Sequence, residues 1–330
     1  MAVYTAIDDP GEYFQIVLFT GTGSSHAITG VGFSPSLVWM KSRSHTTSHN
    51  IVDSVRGVTK VLEANGDYAE QTNATSLTAF GADGFTLGTN AGFNGSARTY
   101  ASWNWLESAT SGVDIVSYTG NGTDDTDISH SLSAVPKLII VKNRDQDNDS
   151  WQVYHGANTA APETDYLVLD TTAATADAAD RWSDEAPTSS VFTLGDAVTV
   201  NTNTEAYIAY LFSEKQGFSK FGSYLGNGDA DGTFVYLGFR PAWVMIKGTG
   251  GTTNWHIYDD QRLGYNVDNN SQRANLATAD QTDDDIDLLS NGFKIRRNTS
   301  ALATDGGNYV YAAFAKAPIV NSNGVPVTAR

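Results

Sequence analysis

The 330-residue chain carries 20 basic against 37 acidic side chains, a formal charge of −17, and a field of that sign repels phosphate backbones and anionic lipid. Nucleic acid is therefore excluded as an expected partner, and the absence of any cysteine removes disulfides, thiol nucleophiles and cysteine-based metal sites. Hydrophobic residues make up 40% and aromatics 11%, with 31 glycines and only 17% charged residues, the balance of a globular chain rich in tight turns that favours strands over helices.

Residues 1–10 read as an irregular arm ending at Pro10-Gly11, one that needs a neighbour to order it. The N-terminus has no basic or apolar signal segment, and no apolar run is long enough to insert into a membrane. Tyr13 to Phe19 forms a first strand that turns at Gly21-Thr-Gly23. Pro35-Ser-Leu-Val-Trp-Met-Lys41 follows, a proline, an apolar run and a lysine, with Leu37, Trp39 and Lys41 on the face opposite Val38 and Met40. The lysine is expected to end the strand and snorkel to the rim. This stretch returns as Pro136 to Lys142 and as Pro241 to Lys247, a period of roughly 100 residues.

Other markers keep the same phase. Gly120-Asn-Gly122 and Gly226-Asn-Gly228 repeat the first turn, and Trp151 and Trp255 stand at matching places. Phe85, Phe192 and Phe293 head a late strand, and Tyr100, Tyr207 and Tyr309 are each followed five residues on by Trp105, Phe212 or Phe314. The fold class expected is all-β, three tandem antiparallel β-sandwich repeats, jelly-roll or lectin-like, standing in line. The boundaries are an arm at 1–10, repeats at 11–110, 111–216 and 217–317, and a second arm at 318–330. Ala173 to Ala179 reads as loop, being short and poor in large apolar residues.

The residues that could carry chemistry are few. His26, His45, His49, His130, His155 and His256 show no zinc-binding or triad spacing, and His49 and Asp53 do not converge in a strand. Asp145, Asp147 and Asp149 begin like a calcium loop, but Ser150 and Gly156 stand where that loop needs glycine and glutamate. Asp124, Asp125 and Asp127 form a further acidic cluster, and the carboxylates of Asp145 to Asp149 and of Asp283, Asp284, Asp285 and Asp287 read as solvated faces, with a structural Ca²⁺ as the alternative. No carboxylate pair recurs at a fixed position, so no catalytic residue, metal site or cofactor is expected. Trp39, Trp103, Trp105, Trp151, Trp243 and Trp255 sit in or beside recurrent strands, as core residues would. Trp182 has no counterpart and is the surface candidate for ligand contact, with the ligand unknown.

The combination of Gly32-Phe-Ser-Pro35 to Lys41, Asp53-Ser-Val-Arg-Gly57, Asp83-Gly84-Phe85, Trp103-Asn-Trp105 and the ending Ala313 to Pro326 resembles a family of virion structural proteins from tailed phages of marine bacteria. The resemblance spans nearly the whole chain and implies a non-catalytic tail fibre or appendage contacting host glycan or protein, with a capsid head decoration or head fibre as the alternative and a glycan depolymerase as a third. It further implies other virion proteins as partners, a homo-oligomer of three copies, and a place on the virion exterior after synthesis in the host cytoplasm and release by lysis. The second repeat lacks the Asp-Ser-Val-Arg-Gly motif, so a site carried by that motif would not be threefold.

Overall fold

The computed structural model describes residues 5–262, 266, 270–282, 285–325 and 327. Asp283 and Asp284 lie outside the described residues. The chain is nearly all-β, in antiparallel sheets packed as sandwiches.

The first unit runs β1 (Phe14–Thr20), β2 (His26–Ile28), β3 (Leu37–Ser42), β4 (Asn50–Asp53), β5 (Lys60–Glu63), β6 (Gln71–Thr72), β7 (Leu77–Gly81), β8 (Gly84–Leu87) and β9 (Thr99–Trp105). Six of these strands make a large sheet in the order β1-β9-β3-β4-β5-β6, and β2-β8-β7 make a small sheet. Strands β3 to β6 follow one another as a meander within one sheet, rather than alternating between two as jelly-roll strands do. The same large-sheet order is built a second time from strands between Val113 and Ser213, and a third time from strands between Ser219 and Pro318.

Local chemistry explains the recurrent turn. A Cβ on Gly21, Gly120 or Gly226 would stand 2.3, 2.2 or 2.3 Å from the carbonyl oxygen of Gly95, Thr202 or Thr304, so only glycine fits. The tyrosine marker fixes the same corner. The hydroxyls of Tyr100, Tyr207 and Tyr309 donate to the carbonyls of Ala91, Val198 and Ser300 at 2.7, 2.6 and 3.0 Å. Each ring stacks at 5.1 Å on the aromatic before the turn: Phe19, Tyr118 or Tyr224.

Every large sheet is covered on both faces, and the three units do not stand in line. Val38 and Met40 point into a core closed by the small sheet through Ile28, Phe85 and Leu87. On the other face Leu37 and Trp39 join Leu138, Ile140, Trp243 and Met245 in one core shared by all three units. At its centre Trp105, Phe212 and Phe314 touch pairwise, with ring centroids 6.3, 5.6 and 5.9 Å apart. These residues occupy equivalent places in their units, opposite Phe14, Val113 and Ser219 on the neighbouring strand. The three sheets therefore form the sides of a closed prism with internal pseudo-threefold symmetry. An apolar cavity of about 20 Å³ remains on its axis, the size of one water, and its lining offers such a water no hydrogen bond.

The described parts of the two terminal arms meet. The Ala6 amide donates to the Gln216 carbonyl, Ile7 is buried in the shared core, and Asp8 accepts from the backbone amide of Ser322 at 2.6 Å.

Candidate functional site

The residues with the most chemistry gather where adjacent units meet. Strand pairing places Leu37 opposite Asp53, Leu138 opposite His155 and Trp243 opposite Asp259, so Asp53, His155 and Asp259 are equivalent. Each faces the neighbouring unit.

Between the first and second units, the Arg56 guanidinium binds Asp53 at 2.5 Å and Glu70 at 3.1 Å, and Glu70 binds Arg144 of the second unit at 3.0 Å. The Tyr210 hydroxyl closes the group by donating to Asp53 at 2.7 Å. Between the third and first units the arrangement recurs. Arg262 binds Asp259 at 2.7 Å and Asp280 at 3.1 Å, Asp280 binds Arg43 at 2.9 Å, and the Trp103 indole N–H donates to Asp259 at 2.9 Å. Burial pushes the Asp259 carboxyl up, but the charge of Arg262 and the hydrogen bonds from Trp103 and Arg262 outweigh it and hold the group below the usual carboxylate range.

The junction between the second and third units uses the same positions without charge. His155 Nε2 donates to the Tyr311 carbonyl at 3.0 Å and its Nδ1 accepts from the Ala157 amide at 3.2 Å, which defines a neutral imidazole. Burial lowers its pKa to about 4. Asn158 stands where the arginines stand, accepting from Thr175 Oγ1 at 2.7 Å, and the Thr175 amide donates to the Thr249 carbonyl at 2.9 Å. That backbone bond repeats as Glu70 to Arg144 and Asp280 to Arg43, both 2.8 Å.

The tryptophans after the lysine strand are junction donors. Trp151 Nε1 reaches the Glu63 carbonyl at 3.0 Å, and Trp255 Nε1 reaches the Val168 carbonyl at 2.8 Å. His49 holds that place in the first unit, accepting from Trp39 Nε1 at 3.0 Å and stacking on Trp103. Burial, then the nearby charges of Lys41 and Arg262, drive its pKa well below that of a free histidine, with the Arg273 backbone acting in the opposite sense.

Lys41, Lys142 and Lys247 do not snorkel to the rim: all three are 0% exposed. Both faces of their strand are covered, so the ammonium groups turn onto backbone carbonyls, at 2.8 Å to Ser42, 2.8 Å to Asn143 and 2.7 Å to Thr253. Burial lowers the pKa of Lys41 and Lys247 to about 8, Asp280 partly offsetting it at Lys41.

The acidic run of the second unit does not converge. Asp145 accepts from the Ala206 amide, Asp147 from the Ala69 amide of the first unit, and Asp149 from the Asn143 side chain. Asp285 accepts from the Tyr258 hydroxyl at 2.6 Å and Asp287 pairs with Arg296 at 3.2 Å. Among the described residues no three of His, Asp and Glu come together as a metal site requires. His26 meets Asn94, His45 meets Ser44, His130 meets the Thr188 carbonyl, and His256 meets the Tyr258 hydroxyl. Trp182 is no surface residue: it is buried edge-on against Tyr154, in a helical turn from Ala179–Trp182 adjoining the stretch read as loop.

The sequence offered no sign of one close carboxylate pair, Glu107 and Asp114. Both accept from the Ile115 amide, at 3.2 and 3.0 Å. Burial and the Asp114 carboxyl raise the Glu107 pKa to about 7. The two carboxyls share this one donor in the link between the first two units.

A signal for the charged junctions was present in the sequence, since the Asp-x-x-Arg spacing of Asp53 and Arg56 recurs at Asp259 and Arg262. Their acidic partners Glu70 and Asp280 carry no such mark. No curated protein and no solved structure matches the chain. The profile of a family described as a domain of unknown function, DUF7483, matches residues 9–318, which takes in all three units of the closed prism, and the chain belongs to that family.

Proposed function

We propose that the protein is a non-catalytic structural component of the exterior of a tailed-phage virion, a tail fibre or appendage that touches the host surface. One observation carries this reading: the recurrent arginines, tryptophans and buried acids are spent on binding three sheets into one body. Such a body resists deformation and presents many loops, which suits an exposed mechanical part. Its partners are other virion proteins and a glycan or protein of the host surface.

Immunogold labelling of intact particles tests the location. Label on the tail is expected, label on the capsid would move the protein to the head-decoration or head-fibre reading, and particles without the protein would overturn both. Incubation with host polysaccharide tests the depolymerase reading. Release of reducing ends, lost in Glu107→Gln, would make the close acid pair an active site. Light scattering tests the homotrimer, since the chain alone weighs 35.3 kDa and three copies weigh three times that. A single-chain mass would mean that the internal pseudo-threefold stands in for a trimer.

A further inference from the structure

The three units can be compared position by position, and the third carries apolar side chains on its surface where the others carry small or polar ones. Pairing aligns Val235, opposite Phe293, with Ile28, opposite Phe85, and Ile128, opposite Phe192. The outward-facing neighbours are therefore Phe234 in place of Ala27 and Asp127, and Tyr236 in place of Thr29 and Ser129. In the same way Leu225 replaces Thr20 and Thr119. Leu225, Phe234 and Tyr236 are 61, 43 and 56% exposed. The fold does not require them, because two sister units close the same corner without them.

Phe234 and Tyr236 project from the outer face of one short strand, and two hydrogen bonds tie that strand to the one that ends at Leu225. Thr233 Oγ1 donates to the Leu225 carbonyl at 2.6 Å, and Lys220 Nζ donates to the Tyr236 carbonyl at 3.0 Å while lying over its ring. Beside Tyr236 opens a groove of about 420 Å³, with Glu214, Gln216 and Ser219 among its walls. An exposed ring next to the carboxylate of Glu214 and the amide of Gln216 matches the two surfaces of a sugar, C–H groups on one side and hydroxyls at the edge. Lys294 pairs with Asp231 at 2.8 Å and Arg296 with Asp287 at 3.2 Å, and an acidic glycan would meet the Glu214 carboxylate and the net negative field of the chain.

We propose that Tyr236, Phe234 on the same strand face and this groove on the third unit form a binding site for a neutral oligosaccharide, a proposal that rests on the host-contact reading above and locates its contact. The test is titration calorimetry of the full chain against short neutral oligosaccharides of glucose, galactose, mannose and N-acetylglucosamine. The variant carries Leu225→Thr, Phe234→Ala and Tyr236→Thr, residues the sister units already use at these positions, so it is expected to fold. At least one oligosaccharide should bind, and the triple variant should weaken it about tenfold or more, whereas Tyr68→Ala, at an exposed tyrosine of the first unit, should leave it unchanged. The proposal is overturned by absence of binding across the panel, by equal binding to the triple variant, or by self-association of the native chain that the variant abolishes. Immunogold labelling separates the failures: a protein present on the virion that binds no sugar keeps its structural role and loses only this site.

Discussion

Two junctions of the prism are held by buried chains of four charged side chains, Asp53–Arg56–Glu70–Arg144 and Asp259–Arg262–Asp280–Arg43. The third puts His155, Asn158, Thr175 and Thr249 at the same places. The geometry therefore requires hydrogen bonds at these positions and is indifferent to charge. Buried ions are tolerated only because each is compensated, and the neutral junction avoids their desolvation altogether. The two solutions differ in how they fail: a charged chain fails when one member is removed, a neutral one when a proton is forced into it.

Removing one arginine should give the largest effect. Arg56→Ala leaves Asp53 buried without its cation, and a loss of about 3–5 kcal/mol is expected in urea unfolding. Converting the pair together, Asp53→Asn with Arg56→Met, should cost less than Arg56→Ala alone. If the double variant proves the less stable, the charges themselves stabilise the junction and the contrast with the neutral one collapses.

The neutral junction should sense acid through His155. His155 takes up a proton near pH 6.5 in the unfolded chain and near 4 in the folded one. Its contribution is complete above pH 6.5 and is lost as pH falls towards 4, about 3 kcal/mol in all. Unfolding midpoints measured from pH 7 to 4 should fall, and His155→Asn should flatten part of that fall. His49, also buried and neutral, lies at the charged junction of the third and first units and acts in the same sense. An unchanged slope in His155→Asn would show that the neutral junction does not sense acid.

How much of this was legible depends on which partner a residue meets. Alternation placed Leu37, Trp39 and Lys41 on one face and Val38 and Met40 on the other, as observed, because side-chain direction along a strand is local. What covers each face is not local. Nothing in the Pro35 to Lys41 stretch says that the face opposite the small sheet packs against two further sheets, so the lysines were expected at a rim that does not exist. The tryptophans were legible as core by their recurrence, but not as donors to the next unit, since Glu63 and Val168 receive them through backbone carbonyls that any sequence supplies. Trp182 was misplaced for the converse reason: lacking a counterpart, it had only its polar neighbours to speak for it.

Glu107 lies outside the junction contrast proper and sharpens it from the other side of neutrality. Its folded pKa near 7 exceeds the ordinary 4.5, so the folded chain holds the extra proton between those values. Stability from this group is complete below pH 4.5 and is lost as pH rises through 7. Glu107→Gln should abolish that decline and gain about 1 kcal/mol or less at pH 8, solvent screening of a half-buried group being allowed for. A variant that loses stability at pH 8 would instead make the carboxylate a needed acceptor for the Ile115 amide.

The smallest effect is expected where the ion-pair distance is the same and burial is not. Lys294 and Asp231 stand 2.8 Å apart, against 2.7 Å for Arg262 and Asp259, but Asp231 has an 81% exposed side chain and Asp259 one that is fully enclosed. Water solvates an exposed carboxylate nearly as well as an ammonium does, so little is gained when the pair forms and little is stranded when it breaks. Asp231→Asn should leave the urea midpoint within error of the native chain, and adding salt should erase whatever difference remains. Arg262→Ala, breaking a bond of equal length, should unfold the protein at much lower urea and stay destabilised in salt, because the acid it abandons has no solvent to turn to. Equal midpoints for the two variants would mean that distance, and not enclosure, governs the ion pairs of this fold.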